Sequence, residues 1–474
     1  MKTESQPRIE TQELEKRLKL HGKLAWDRME AAERQEAFRF AEDFKAFIDR
    51  AKTEREAVRE ILTQARQAGY QEGFGKPAGD RLYFLNKEKS LALVQWGRAP
   101  LSEGLRIIVS HIDSPRLDLK QNPLYEDTDL ALLRTHYYGG IKKYHWVTLP
   151  LALHGVIVKT DGSVLDVRIG EEPGDPVFVI NDLLPHLSGR VQDSKKISEA
   201  IEGEKLTVLV GSLPYPDPEA KERVKLRLME ILHQTYGLVE EDFTSAELEF
   251  VPALKARDVG LDRSLIGAYG QDDRASAFAS LRALLSTSEP SRTLLVLFMD
   301  KEEIGSEGNT GAKSLFIERV LHHLIERSGG PLGDSWIREI LSNSKALSAD
   351  VEAALDPNYP EVHEKQNAGR IGYGVCLEKY TGHRGKSGAS DARAEYVGEI
   401  RRIFNAHNVV WQMTEIGKVD EGGGGTVSKY LAVYGMDILD CGPPVLSMHS
   451  PFEITSKADL YQTYKAFRIF LSMP

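Results

Sequence analysis

Between Thr293 and Met299 the chain reads Thr-Leu-Leu-Val-Leu-Phe-Met, and it runs directly into Asp300-Lys301-Glu302-Glu303-Ile304-Gly305-Ser306. An unbroken apolar run of this kind predicts a strand buried on both faces, as in a largely parallel sheet. Carboxylates immediately after it fall at the strand's carboxyl end, where open α/β sheets place their ligand crevices. Like charges crowded there repel each other unless a cation or a shared proton offsets them. A divalent metal would let one Glu ligate and leave its neighbour as a proton acceptor. An exposed acidic turn is the alternative that this segment alone leaves open.

The 474 residues exceed the roughly 250–300 at which a single core stops growing, so two domains are expected. Residues 10–68, rich in Glu, Lys, Arg, Ala and Leu, predict helices. Strand signals follow at Ser90–Trp96 and Leu105–Ser110. From Leu117 to Pro252 short β-rich pieces such as Gly155-Val-Ile-Val-Lys alternate with Gly, Pro and Asp turns. Beyond that, helix and strand alternate again. Ala275, Phe278, Leu281, Leu284 and Leu285 share one helical face, helices are expected around 311–345 and 390–406, and Met436–Asp440 reads as a strand. The expected fold is α/β, with a mixed, largely parallel sheet between helices. Residues 1–116 and 257–474 form it, and residues 117–256 are a β-rich insertion.

A net charge of −10 argues against nucleic acid as the main partner. No apolar stretch approaches the about 20 residues of a membrane span, and the N-terminus lacks the apolar core of a signal peptide. Cys376 and Cys441 are the only cysteines, too few for a disulfide scaffold. The chain reads as cytoplasmic.

Potential metal ligands recur just after apolar runs or at a helix start: His111 with Asp113, Asp272 with Asp273, Glu302 with Glu303, Asp350, and His449. Each has a plainer reading: a strand-end histidine, a helix N-cap at Asp272, a turn aspartate, a loop cap. Their joint occurrence favours a shared site, because parallel strands bring their carboxyl ends together. Mixed imidazole and carboxylate donors suit zinc, with cobalt or manganese as competitors, and without clustered cysteines such a site would be catalytic and open.

Taken in order, these segments resemble the aminopeptidase I and aspartyl aminopeptidase family of dinuclear zinc exopeptidases. The carrying motifs are Ser110-His111-Ile-Asp113-Ser-Pro115, Gln271-Asp272-Asp273-Arg274, Asp300-Lys-Glu302-Glu303-Ile-Gly-Ser306, Ser348-Ala-Asp350 with Pro357-Asn-Tyr359, and Ser447-Met-His449-Ser450. The resemblance implies that Asp272 bridges two zinc ions, His111 and Asp350 completing one and Glu303 and His449 the other. It makes Glu302 the general base and has Asp113 orient the His111 ring. The insertion resembles the family's dimerisation domain, and His186 in Leu183-Leu-Pro-His186-Leu would stabilise an oxyanion in the neighbouring subunit. Gly424, Gly425 and Thr426 match a turn lining the substrate pocket, where glycines permit close backbone approach; a flexible loop is the alternative.

The implied activity is removal of N-terminal residues from peptides, in a homo-oligomer, a dodecamer built from dimers. Some positions depart from the aspartyl members. Their Asp-Arg pair after Tyr-Gly-Gly is missing from Gly139–Pro150, their His-Pro-Asn-Tyr is Asp356-Pro-Asn-Tyr here, and only Lys379 lies near their substrate lysine. The expected preference is therefore acidic, or neutral and broad. The competing readings are a non-catalytic shell or cargo protein and another co-catalytic zinc hydrolase, a carboxypeptidase or deacylase.

Overall fold

The computed structural model describes residues 6–20, 22–75 and 79–474; residues 1–5, part of the N-terminal segment read above for a signal peptide, lie outside them. A nine-stranded sheet runs in the order Gln71–Glu72, Arg81–Asn86, Ser90–Gln95, Leu294–Met299, Arg106–His111, Lys345–Ser348, Asp437–Gly442, Val375–Glu378, Trp411–Thr414. Its four central strands, from Leu294–Met299 to Asp437–Gly442, are parallel. They are apolar because both faces are covered: every residue of Leu294–Met299 and Arg106–His111 is buried. The fold is mixed α/β with a largely parallel main sheet, as the apolar runs predict.

Helices Ala31–Ile48, Glu54–Gln67, Gln271–Leu285, Ala394–Ala406 and Lys457–Leu471 close one face of this sheet, and Phe316–Ser328 and Asp334–Ser342 the other. Phe40, Phe44 and Phe47 recur at helical spacing and converge on Phe278, with ring centroids 5.0, 5.5 and 5.2 Å from it. Burying one such ring stabilises the fold by about 1.5–3 kcal/mol. The helix around Phe278 departs from its predicted single apolar face. Ser276, Ala277, Ala279 and Ser280 are buried as well, because this helix touches both the sheet and the helices Ala31–Ile48 and Lys457–Leu471. Small side chains on its second face make that close approach possible.

A six-stranded, wholly antiparallel sheet takes all its strands from residues 116–252. It has its own core around Trp146, Leu117, Val208 and Phe250. A third sheet, not foreseen from the sequence, joins Arg257–Val259, Leu265–Ala268, Glu453–Ser456, Pro444–Leu446 and Glu352–Ala353. It brings together segments that precede Asp272, follow Asp350 and flank His449. Among the described residues no helix is long and apolar enough to cross a membrane.

Candidate metal centre

The parallel register sets Met299 beside His111, so the chain after each strand leaves the sheet at the same end. His111 is the last residue of its strand, and Asp350 lies two residues beyond Lys345–Ser348. After Met299 the chain turns through Lys301, at φ +66°, into a single 3₁₀ turn, Glu302–Ile304. The two glutamates thus sit at the carboxyl end of their strand, as expected, in a helical turn just beyond it. Gly442 lets the strand Asp437–Gly442 approach the Asp350 backbone, whose carbonyl carbon and oxygen would meet a Cβ there at 2.6 and 1.8 Å.

Asp272 stands at the middle of the site. Its Oδ1 is 3.0 Å from His111 Nε2 and its Oδ2 is 3.2 Å from His449 Nε2. His111 Nε2 also lies 3.7 Å from Asp350 Oδ1, and His449 Nε2 lies 3.4 Å from Glu303 Oε2. Two histidine–carboxylate groups therefore share one aspartate. The capping alternative for Asp272 fails because both of its carboxylate oxygens meet histidine rings instead of an amide of the helix that follows.

The tautomers show what this arrangement is suited to hold. His111 Nδ1 is 3.1 Å from the Asp113 carbonyl, and His449 Nδ1 is 2.9 Å from the Gly140 carbonyl. A carbonyl can only accept, so both Nδ1 atoms donate. A neutral ring then turns its Nε2 lone pair toward carboxylate oxygens, a repulsive arrangement unless a proton or a metal cation lies between them. Glu303 Oε1 and Asp273 Oδ1 are moreover buried with no hydrogen-bond partner. Among the described residues, donor atoms of His111, Asp272 and Glu303 all lie within 4.8 Å of one another, as do those of His111, Asp273 and Asp350. The donor set fits a pair of divalent metals.

The electrostatics agree. Burial opposes a charged His449 ring, yet Glu303 and Asp272 outweigh it and raise its pKa to about 11. Burial lifts the Glu302 carboxyl to about 8, with His111 opposing and Asp350, Asp113 and Asp272 adding to the rise. Glu303 is pushed well above the ordinary range, again chiefly by burial. Carboxylates crowded this way require positive charge to ionise together.

Asp113 does more than orient His111. Its carboxylate accepts the amides of Glu302 at 3.1 Å and Glu303 at 3.2 Å and the hydroxyl of Tyr138 at 2.8 Å. Its backbone carbonyl, at 3.1 Å, is nearer the His111 ring than its side chain at 3.4 Å. The sequence reading overlooked Tyr138, the Gly140 carbonyl and Glu453. The Tyr-Gly-Gly segment was visible as a motif, but nothing in it signals contact with the acids.

The remaining candidates fare differently. Thr426 Oγ1 donates to Asp440 at 2.7 Å, and the Gly424 carbonyl accepts the Gly382 amide at 2.5 Å, so the glycine loop is tied down. For Gly425 no comparable tie is seen; a Cβ there would meet the end of Lys429. Lys379 is committed to Asp391 at 2.8 Å. His186 is exposed on the short helix Pro185–Ser188. Among the described residues, neither Lys379 nor His186 meets Asp272 or its partners within one chain.

A family model described as aminopeptidase I zinc metalloprotease (M18) matches residues 47–471. A probable M18 family aminopeptidase 1 of Clostridium acetobutylicum is 50% identical, covering 95% of this chain and 98% of the relative. The crystal structure of an M18 family aminopeptidase from Thermotoga maritima, 47% identical, superposes with a TM-score of 0.92 over 96% of this chain and all of that one. The mApe1 dodecamer of Saccharomyces cerevisiae, 20% identical, shares the fold at a TM-score of 0.72 over 91% of this chain and 95% of its own.

Proposed function

The chain belongs to the M18 family of aminopeptidase I zinc metalloproteases, and we propose from this that it cleaves N-terminal residues from peptides with two zinc ions per subunit and Glu302 as general base. The observation that carries the reading is the pair of imidazoles whose Nε2 atoms face the two oxygens of Asp272 while each Nδ1 is committed to a carbonyl. His111 and Asp350 would hold one ion, Glu303 and His449 the other, and Asp272 both. When bound, the ions supply Lewis acidity that lowers the pKa of water and polarises the scissile carbonyl. Cobalt or manganese could serve in their place.

The chain's own groups do the rest. The Glu302 carboxylate takes the proton of the attacking water and returns it to the leaving amine. Asp113 keeps that glutamate in place by accepting its amide. His186 of a second copy would donate to the oxyanion of the tetrahedral intermediate. Gly424, Gly425 and Thr426 would line the pocket for the N-terminal side chain. Because Lys379 is engaged by Asp391, which it shares with Lys386, a neutral or broad preference is favoured over an acidic one. We further infer a cytoplasmic homo-oligomer, a dodecamer built from dimers, with residues 117–256 as the dimerising insertion.

A panel of aminoacyl chromogenic substrates, assayed with zinc, cobalt and manganese, tests the activity and the preference together. Hydrolysis of neutral aminoacyl substrates, lost on treatment with 1,10-phenanthroline and restored by added metal, is expected. Full activity in a verified metal-free sample would refute the metal assignment, and turnover restricted to Asp and Glu substrates would refute the preference.

A further inference from the structure

We propose that Glu453 is a positioning residue that fixes Asp272 against His449 and so governs retention of one of the two ions; this rests on the two-zinc reading above. The residue is 1% exposed. Its Oε1 accepts the backbone amide of His449 at 2.7 Å, and its Oε2 accepts that of Asp272 at 3.0 Å. One carboxylate thus bridges the main chains of two ligands 177 positions apart in sequence, Asp272 and His449.

Neither amide has a place in a regular hydrogen-bond ladder. His449 lies at φ +64° in the connection between Pro444–Leu446 and Glu453–Ser456, and Asp272 has non-helical angles at a helix start. Without Glu453 both would be buried or half-buried donors without a protein partner. The Asp272 peptide is fixed from both sides, since its carbonyl accepts the Ser114 hydroxyl at 2.7 Å. That leaves its two carboxylate oxygens aimed one at each histidine. His449 is likewise held at two points, its amide by Glu453 and its Nδ1 by the Gly140 carbonyl.

The same residue anchors the surrounding elements. Its backbone carbonyl accepts Gln271 Nε2 at 2.6 Å, and it pairs with Ala268 in the third sheet. The other half of the site is built differently: His111 and Asp350 follow strands of the main sheet, and their placement does not pass through Glu453. The dependence is therefore asymmetric. The ion held by Glu303 and His449 relies on Glu453, whereas the ion held by His111 and Asp350 relies on it only through Asp272. The carboxylate also brings negative charge close to the cations without occupying a coordination position.

The test uses the full-length protein, with zinc per chain measured by plasma mass spectrometry and stepwise zinc affinities by competition with a chromophoric chelator. Glu453→Gln keeps the shape but offers one acceptor oxygen for two amides. Glu453→Asp keeps the charge but is too short to span both. Wild type should bind two ions, and each variant should keep one at near wild-type affinity while the other weakens about 10–100-fold. Two unweakened ions in Glu453→Gln would overturn the assignment. Equal weakening of both ions in both variants, whether through unfolding seen by circular dichroism or otherwise, would also overturn it. Fewer than two ions on the wild type would instead sink the two-zinc reading beneath it.

Discussion

Two neighbouring glutamates of this site are placed differently. Glu303 approaches the ring of His449 at 3.4 Å, whereas among the described residues no histidine contact engages Glu302, and its amide is fixed by Asp113. Replacing Glu302 by Gln keeps that amide bond and the side-chain volume but removes the proton acceptor. Turnover of an aminoacyl chromogenic substrate should fall about 10²–10⁴-fold, with zinc per chain unchanged. Retained turnover would remove Glu302 from its role, and lost zinc would recast it as a ligand. The histidines and acids that meet here were legible in the sequence because each follows an apolar run or opens a helix. Glu453 was not: in Ser450-Pro-Phe-Glu-Ile-Thr455 it is one acid among many, and its task arises only when its strand pairs with Leu265–Ala268. Asp272 was ambiguous for a related reason. The residue type that caps helices also binds metal, and only the histidine rings that its oxygens meet in the fold separate the two.

The elements themselves are joined by buried charge that no periodicity announces. Helix Glu54–Gln67 opens with a capping box in which Glu56 Oε2 accepts the Thr53 amide at 3.2 Å. The other oxygen of Glu56 meets His154 Nδ1 at 2.9 Å, and Glu171 Oε1 meets the opposite ring nitrogen at 3.2 Å. His154, fully buried on a strand of the six-stranded sheet, thereby ties that sheet to the helices of the main one. Burial opposes its charged form, but Glu171 and Glu56 prevail and hold its pKa above the ordinary value. Burial likewise opposes ionisation of Glu171, yet His154, Lys52 and Lys255 bring it down to about 2. A raised histidine pKa stabilises the fold fully below the unfolded value of about 6.5 and loses that contribution as pH rises through the folded one. His154→Gln should therefore cost about 3 kcal/mol near pH 6, and the deficit should shrink at alkaline pH as the wild-type ring loses its proton. Urea denaturation of both proteins across this range checks it; a pH-independent deficit would mean that the ring is neutral in the fold. The strand carrying His154 was foreseen from its β-branched run, whereas the tie to Glu56 was not, because it depends on packing between segments 98 residues apart.

At the scale of the whole molecule, His186 is exposed and, among the described residues, makes no side-chain hydrogen bond or ion pair within its own chain. It is flanked by Leu183, Leu184 and Leu187, which are 41%, 49% and 62% exposed, and Ile197 nearby is 67% exposed. Apolar side chains concentrated this way suit a contact surface, in keeping with the role proposed for His186 in a neighbouring subunit. The β-rich texture of the insertion was plain in the sequence, but what a second copy would meet on it depends on the folded surface. If His186 supplies an oxyanion donor across that contact, His186→Phe should lower kcat by about 10²–10³-fold without changing the oligomer's mass. A stronger test pairs two inactive proteins. Chains carrying His186→Phe retain Glu302, and chains carrying Glu302→Gln retain His186. Unfolded together and reassembled, they form contacts in which an intact Glu302 from one chain faces an intact His186 from the other, so activity should reappear in the mixture and in neither parent. If both residues served the same chain, every site in the mixed oligomer would lack one of them, and the mixture would stay as inactive as its components.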